Sequence, residues 1–303
     1  MAIITPALIS ALFTGFKSEF QRVFGDTPSN WDKVATLMPS TSKSNTYGWL
    51  GQFPALVEWV GERVLKDMAA HGYSITNKLF ESTVSVRRVD IEDDEVGIYK
   101  PLFGEMGRAA KSFPDELVYG LLAQGLASLC YDGQNFFDTD HPVFPKVDGT
   151  GAATTVANYA AGTDPAWFLL DCSRVLKPVL FQERTKPELT HMTDGKDEAV
   201  FMTDTYRYGI RTRCNVGFGF WQTAYCSKLA LNDENFNAAY DAMTAFKADG
   251  GRPLGIKPTL LVVPGNLRTA AAEVVQVARR TDGSDNPNAG LVDVLVTPWL
   301  NAA

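Results

Sequence analysis

Residues 131–142 read Tyr131-Asp132-Gly133-Gln134-Asn135-Phe136-Phe137-Asp138-Thr139-Asp140-His141-Pro142. Carboxylates, amides and an imidazole stand there among aromatic rings and turn formers. A dozen residues so dense in both form a shaped, rigid loop rather than a solvated linker. The polar density is that of an active site, yet the stretch fits no catalytic template. Asp138, Asp140 and His141 are close enough in sequence to share a cation. They serve equally well as caps for the turns around Pro142 and Pro145. The whole chain holds only His71, His141 and His191, which leaves little material for imidazole catalysis.

Nucleophilic chemistry has less support. No GxSxG turn is present, and a pairing of Cys130 with His141 rests on proximity in sequence alone. The stretch around Gly283 and Gly290 lacks the Lys-Ser/Thr that follows a phosphate-binding loop. Gly217-Phe218-Gly219 reads as relief of crowding in a sheet. Asp132, Gly133, Asp138, Asp140 and His141 are therefore expected to build a structured surface loop, with no catalytic residue, metal or cofactor.

The bounds from composition agree. At 303 residues, 45% hydrophobic and 21% charged, the chain has ample core for one large or two medium domains. A net charge of −7 argues against a protein that grips nucleic acid by its phosphates, though not against one that encloses it. Arg87-Arg88, Arg211, Arg213 and Arg279-Arg280 are the visible basic spots, read as solvated faces or as ion pairs across a subunit boundary. Cys130, Cys172, Cys214 and Cys226 form no CxxC pair, so buried, reduced thiols are expected. The N-terminus has neither the basic start nor the cleavage site of a signal peptide. No apolar run is long enough for a transmembrane helix.

Outward from the loop, Thr5-Pro6 opens a helix whose Leu8, Leu12, Phe16, Phe20 and Phe24 recur every fourth residue. That aromatic stripe needs a dock, on the chain's own core or on a neighbour. Trp49, Phe53 and Trp59 crowd a stretch broken by Gly48, Gly51, Pro54 and Gly61, which predicts loop and strand. Thr83–Ile91 alternates like a strand. Asp93 and Asp94 are placed to cap a long helical region reaching about Leu129, with a kink or break at Pro114. Gly149–Gly162 reads as an exposed loop or junction. A strand is expected within Val200–Ala224, helices over 236–248 and 267–280, and strands at 259–263 and 291–297.

Several stretches together resemble the major head subunits of Mu-like bacteriophages. They are the loop at 131–142, Glu58-Trp59-Val60-Gly61-Glu62-Arg63, Asp90-Ile91-Glu92-Asp93-Asp94, Pro114-Asp115-Glu116-Leu117-Val118, Gly219-Phe220-Trp221-Gln222, and the run from Gly255 to Pro264. They span about residues 47–298 in one consistent order. The resemblance implies an α+β, HK97-type capsid fold. Its parts are an N-terminal arm (1–45), an extended loop (46–82), a peripheral domain with a kinked spine helix (83–149), an axial domain (150–280) and a return to the peripheral domain (281–303).

By the same resemblance the chain is a capsid subunit that self-assembles as hexamers and pentamers into an icosahedral head, in the host cytoplasm, around double-stranded DNA. Expected partners are further copies, a separate scaffold protein (the arm begins almost at Met1), a portal and decoration proteins, with no membrane. Leu12, Phe16, Phe20, Trp49, Phe53, Trp59 and Arg63 are the expected contacts between copies. On this view, replacing Phe16 and Phe20 with Asp leaves a folded subunit that makes no shell. Any local positive charge on the inner face is sought first at Lys17 and Arg22. The rival readings are an encapsulin-type cellular compartment, and a metal-dependent enzyme built on Asp138, Asp140 and His141.

Overall fold

The computed structural model describes residues 4–51, 72–93, 96–147, 149–280 and 283–301. Phe53, Trp59 and Arg63, with most of the 46–82 stretch, lie outside the described residues.

The first helix, Pro6–Asp26, starts where the sequence places it. Thr5 Oγ1 accepts a hydrogen bond from the Leu8 N–H at 3.2 Å, and Pro6 occupies the first turn, where no N–H is needed. Its stripe docks on its own chain. Phe16 and Phe20 are each 4% exposed, and Phe16 stacks on Phe103 at 4.1 Å with Tyr208 edge-on at 5.3 Å. Little of either ring is left for a neighbouring copy. Asp at both positions would thus disrupt the subunit itself, because a carboxylate has no partner in that apolar cluster.

The helix lies across a second one, Lys100–Ala123, of 24 residues or about 36 Å. Gly107 lets the two backbones meet. Together they cover a four-stranded sheet ordered Ala35–Pro39, Val179–Met192, Thr205–Phe218, Lys78–Arg87. The first pair is parallel and the others antiparallel. Tyr206, Tyr208 and Ile210 point from the third strand into the helices, while Arg207 and Arg211 take the solvent face. That is the period-2 alternation of a half-buried strand. A five-stranded sheet, ordered Asp293–Val296, Leu260–Val263, Trp167–Leu170, Ala224–Ser227, Tyr159–Ala160, sits in a second, larger core. Trp167–Leu170 and Leu260–Val263 are buried on both faces, so each reads as an unbroken apolar run.

Three expectations need correction. The strand at 83–91 starts earlier and ends at Arg87, and Arg88–Glu92 is a short helix held by an Arg88–Glu92 ion pair at 3.1 Å. The long helix begins at Lys100 rather than 93, with Asp93 closing the short helix before it. Of the kink or break expected at Pro114, the break does not occur: one helix runs through the proline. Contacts on both sides of the proline hold it there. Phe113 packs on Phe80 at 4.6 Å, Asp115 Oδ1 accepts from the Asn30 N–H at 2.9 Å, and the Tyr119 hydroxyl donates to the Asn30 carbonyl at 3.1 Å. The helices expected at 236–248 and 267–280 are Asp233–Thr244 and Arg268–Val275, and the strand expected at 291–297 is Asp293–Val296.

Candidate functional site

The loop at 131–142 is fixed from every side. Phe136 and Phe137 are buried, and Phe136 stacks on Phe218 at 4.0 Å. Asn158, fully buried, is its hub. The Asn158 amide donates to the carbonyls of Phe136, Trp221 and Ala224 at 2.8, 3.3 and 3.3 Å, and its Oδ1 accepts from the Asp138 N–H at 2.9 Å. The Tyr131 hydroxyl donates to Gln222 Oε1 at 3.1 Å. A loop held this way is a platform, with the backbone groups of its turns satisfied by fixed partners.

His141 turns inward. Its ring is wholly buried and stacks on Trp221 at 4.1 Å and 9°, and its Nδ1 lies 2.7 Å from Asp132 Oδ2. The other Asp132 oxygen accepts from the Cys130 thiol at 2.9 Å and from the Gln134 N–H at 3.1 Å. Burial opposes ionisation of Asp132, but these donors outweigh it and hold the carboxyl below its ordinary value. Burial and the Asp132 carboxylate together push the Cys130 thiol far up. Such a thiol keeps its proton and donates it to the aspartate.

The anticipated trio of Asp138, Asp140 and His141 is not brought together as a cation site. Asp138 and Asp140 stand beside each other, and desolvation together with the Asp138 carboxyl raises Asp140. His141 pairs instead with Asp132, nine residues back. Among the described residues the one group with metal-ligand spacing is Cys130, Asp132 and His141, whose ligand atoms lie within 4.8 Å of one another. Gly133 takes φ 86°, a left-handed turn that a side chain would strain.

The platform carries the root of the 46–82 stretch. Ser44–Thr46 pairs with Ser74–Thr76, so the chain leaves and returns at one place. The Tyr47 hydroxyl donates to the buried Gln182 at 2.7 Å, and the Gln182 amide donates to the Ile75 carbonyl and to Asn77 Oδ1 at 3.0 and 2.9 Å. The Tyr73 hydroxyl accepts from the Phe218 N–H at 2.8 Å. Half-buried Trp49 meets Phe220 edge-on at 6.1 Å, and Phe220 meets Tyr131 at 6.2 Å. Asn158, Gln182 and Tyr73 carry this anchoring and escaped the sequence reading, because a lone amide or tyrosine has no periodic signature. Of the contact candidates, Leu12 is half-buried on its own chain, and Phe16 and Phe20 are enclosed. Arg22 is tied to Glu19 and Asp26, at 2.6 and 3.3 Å, so its charge is locally matched.

The loop and the root of the 46–82 stretch thus form one anchored surface. The family model of the Mu-like prophage major head subunit gpT matches residues 9–300.

This chain belongs to the family of Mu-like major head subunits.

The major capsid protein of Escherichia phage Mu is 47% identical over 304 residues, covering 98% of this chain and all of the relative. The FluMu major head subunit of Haemophilus influenzae is 48% identical over 286 residues, 93% of each chain. Among solved structures, a chain of the bacteriophage JBD30 procapsid superposes with a TM-score of 0.86 at 64% identity, covering 98% of this chain and all of that one. A chain of the JBD30 capsid gives 0.77 at 51%, covering 99% and 100%. The Mu-like head subunit described here thus has the HK97-type α+β capsid fold and is a major capsid protein, a component of the phage head. Neither the cellular-compartment reading nor the metal-enzyme reading gains support from these likenesses.

Proposed function

We propose that this chain assembles as hexamers and pentamers into an icosahedral shell that encloses double-stranded DNA, and that it does so without catalysis. The observation that carries the reading is the full-length likeness to a subunit of an assembled procapsid. The physical features support it. Phe201 and Met202, 81% and 69% exposed, crown the connection between the two longest strands, and apolar side chains left in water there suit burial against another copy. Residues 1–45 act as the arm, 46–82 as the extended loop, 83–149 and 281–303 as the peripheral domain and 150–280 as the axial domain. The pinned root at Ser44–Thr46 and Ser74–Thr76 favours this use of the loop.

Contacts between copies fall to Trp49, Phe53, Trp59, Arg63 and the outer edge of the first helix near Leu12. Assembly takes place in the host cytoplasm on a separate scaffold protein, with a portal at one vertex and decoration proteins outside. The negative net charge suits a container that holds DNA without gripping it.

Negative-stain electron microscopy of the purified chain, expressed with and without the candidate scaffold gene of its phage, tests the proposal. Closed shells with the scaffold, and rings or aberrant shells without it, are expected. Identical well-formed shells in both cases would remove the scaffold from the account. A monomer in both would overturn assembly.

A further inference from the structure

We propose that Cys130, Asp132 and His141 form a zinc site within the head subunit. Three unlike ligand atoms converge there, Cys130 Sγ, an Asp132 carboxylate oxygen and His141 Nδ1. The carboxylate lies 2.9 Å from the sulfur and 2.7 Å from the nitrogen, and all three atoms fall within 4.8 Å of one another. Ligands bound at roughly 2.0–2.3 Å around one tetrahedral zinc stand about 3–4 Å apart, so small side-chain rotations seat the ion.

The donor set selects the metal. Thiolate and imidazole favour zinc over magnesium or calcium, which take oxygen ligands. The surroundings enclose the ligands, with His141 Nε2 buried and without a hydrogen-bond partner among the described residues. Cys130 is 5% exposed and His141 0%. The stacked Trp221 fixes the imidazole, and the Gln134 N–H orients the carboxylate from behind. Tyr73, Ser74 and Gly133 border a shallow surface pocket that reaches Cys130 and Asp132. It opens the Cys130–Asp132 side to solvent, from which the entering ion and a water as fourth ligand would come.

The charges balance. Without metal the Cys130 thiol keeps its proton and donates it to the Asp132 carboxylate. On binding, the S–H bond breaks and a Zn–S bond forms. Nδ1 binds the ion through its lone pair, any proton it carried moving off, and the thiol proton leaves to solvent. Two negative ligands then offset the dication, so the buried centre is neutral. Its role is to lock the 131–142 platform.

Cobalt(II) titration of the purified, reduced wild-type protein reads the site directly, because a thiolate ligand gives cobalt an intense near-ultraviolet charge-transfer band. The wild type should show this band at one cobalt per chain, and zinc should bleach it. C130S, nearly isosteric, should lose the band and bind at least about 100-fold more weakly, since even outer-sphere losses cost 10–100-fold. C172S, which alters a thiol elsewhere, should keep both. Calorimetry of zinc binding to the wild type in two buffers of different ionisation enthalpy should report release of at least the thiol proton per ion, which requires no variant to fold. A wild type without the band, a C130S that keeps it, or zinc binding without proton release would each overturn the site.

Discussion

The backbone of Phe20 rests directly on Gly107: a Cβ at position 107 would lie 2.5 Å from the Phe20 carbonyl oxygen. This contact sets how closely the N-terminal helix docks on the long one. Backbone cannot yield as a flexible side chain does, so G107A should cost about 1–3 kcal/mol through forced separation of the helices. Gly120, on the same helix, faces open space, and G120A should stabilise by up to about 1 kcal/mol. Urea unfolding of the two variants distinguishes a docking contact from a mere helix-propensity effect.

Phe20 is a core residue of the subunit. F20A should destabilise the isolated, folded chain by about 3–5 kcal/mol, as for other buried aromatic truncations. Thermal unfolding followed by circular dichroism checks this. A subunit of wild-type stability that fails only in assembly would move the ring to an interface after all.

Asn158 is the central clamp on the platform. N158A leaves the Phe136, Trp221 and Ala224 carbonyls without their amide donor and the Asp138 N–H without its acceptor. The Trp221 carbonyl keeps the Ala224 N–H, so with the Phe136 carbonyl and the Asp138 N–H left unpaired at about 1–3 kcal/mol each, the loss should be about 2–6 kcal/mol. Hydrogen exchange should rise first over residues 130–143, before the five-stranded sheet loosens.

Acid should attack the Asp132 cluster. The folded-state pKa of Asp132 lies below its ordinary value of 3.8, so the folded chain binds fewer protons there than the unfolded one. The stability it contributes is fully present above the unfolded value and is lost as pH falls through the folded one. D132N should flatten the stability profile below about pH 4, measured by denaturant unfolding between neutral and acid pH. An unchanged slope in D132N would show that the pair with His141 carries no linkage.

Much of this architecture was legible in the residues themselves, and the exceptions have physical causes. The spacing of Leu8, Leu12, Phe16 and Phe20 announced the first helix, and Pro258 and Pro264 bracketed the strand at Leu260–Val263. The long strand Val179–Met192 was missed. Its outer half carries Glu183, Arg184, Lys186, Pro187 and Glu188, and a register shift near Arg213 breaks the alternation that would reveal it. Arg88–Glu92 continues the apolar alternation of the strand before it, and the Arg88–Glu92 ion pair together with the Arg88 N–H bond to the Asp204 carbonyl turns it into a helix. At the site, the sequence singled out His141 and Asp132 but not their relation. His141 meets Trp221, eighty positions on, and Cys130 reaches the same carboxylate from the other side. Local spacing favoured Asp138 and Asp140, whereas the fold folded the imidazole away from them.

The most direct test of the central claim is a cryo-electron microscopy reconstruction of particles made by this chain with the proposed scaffold. The account predicts an icosahedral shell in which each subunit shows the two-helix layer over the four-stranded sheet. Phe16 and Phe20 should lie inside their own chain, and the loop rooted at Thr46 and Ser74 should reach a neighbour. Particles without that shell, or shells whose subunits meet with both the loop and the Phe201–Met202 crown left in solvent, would contradict it.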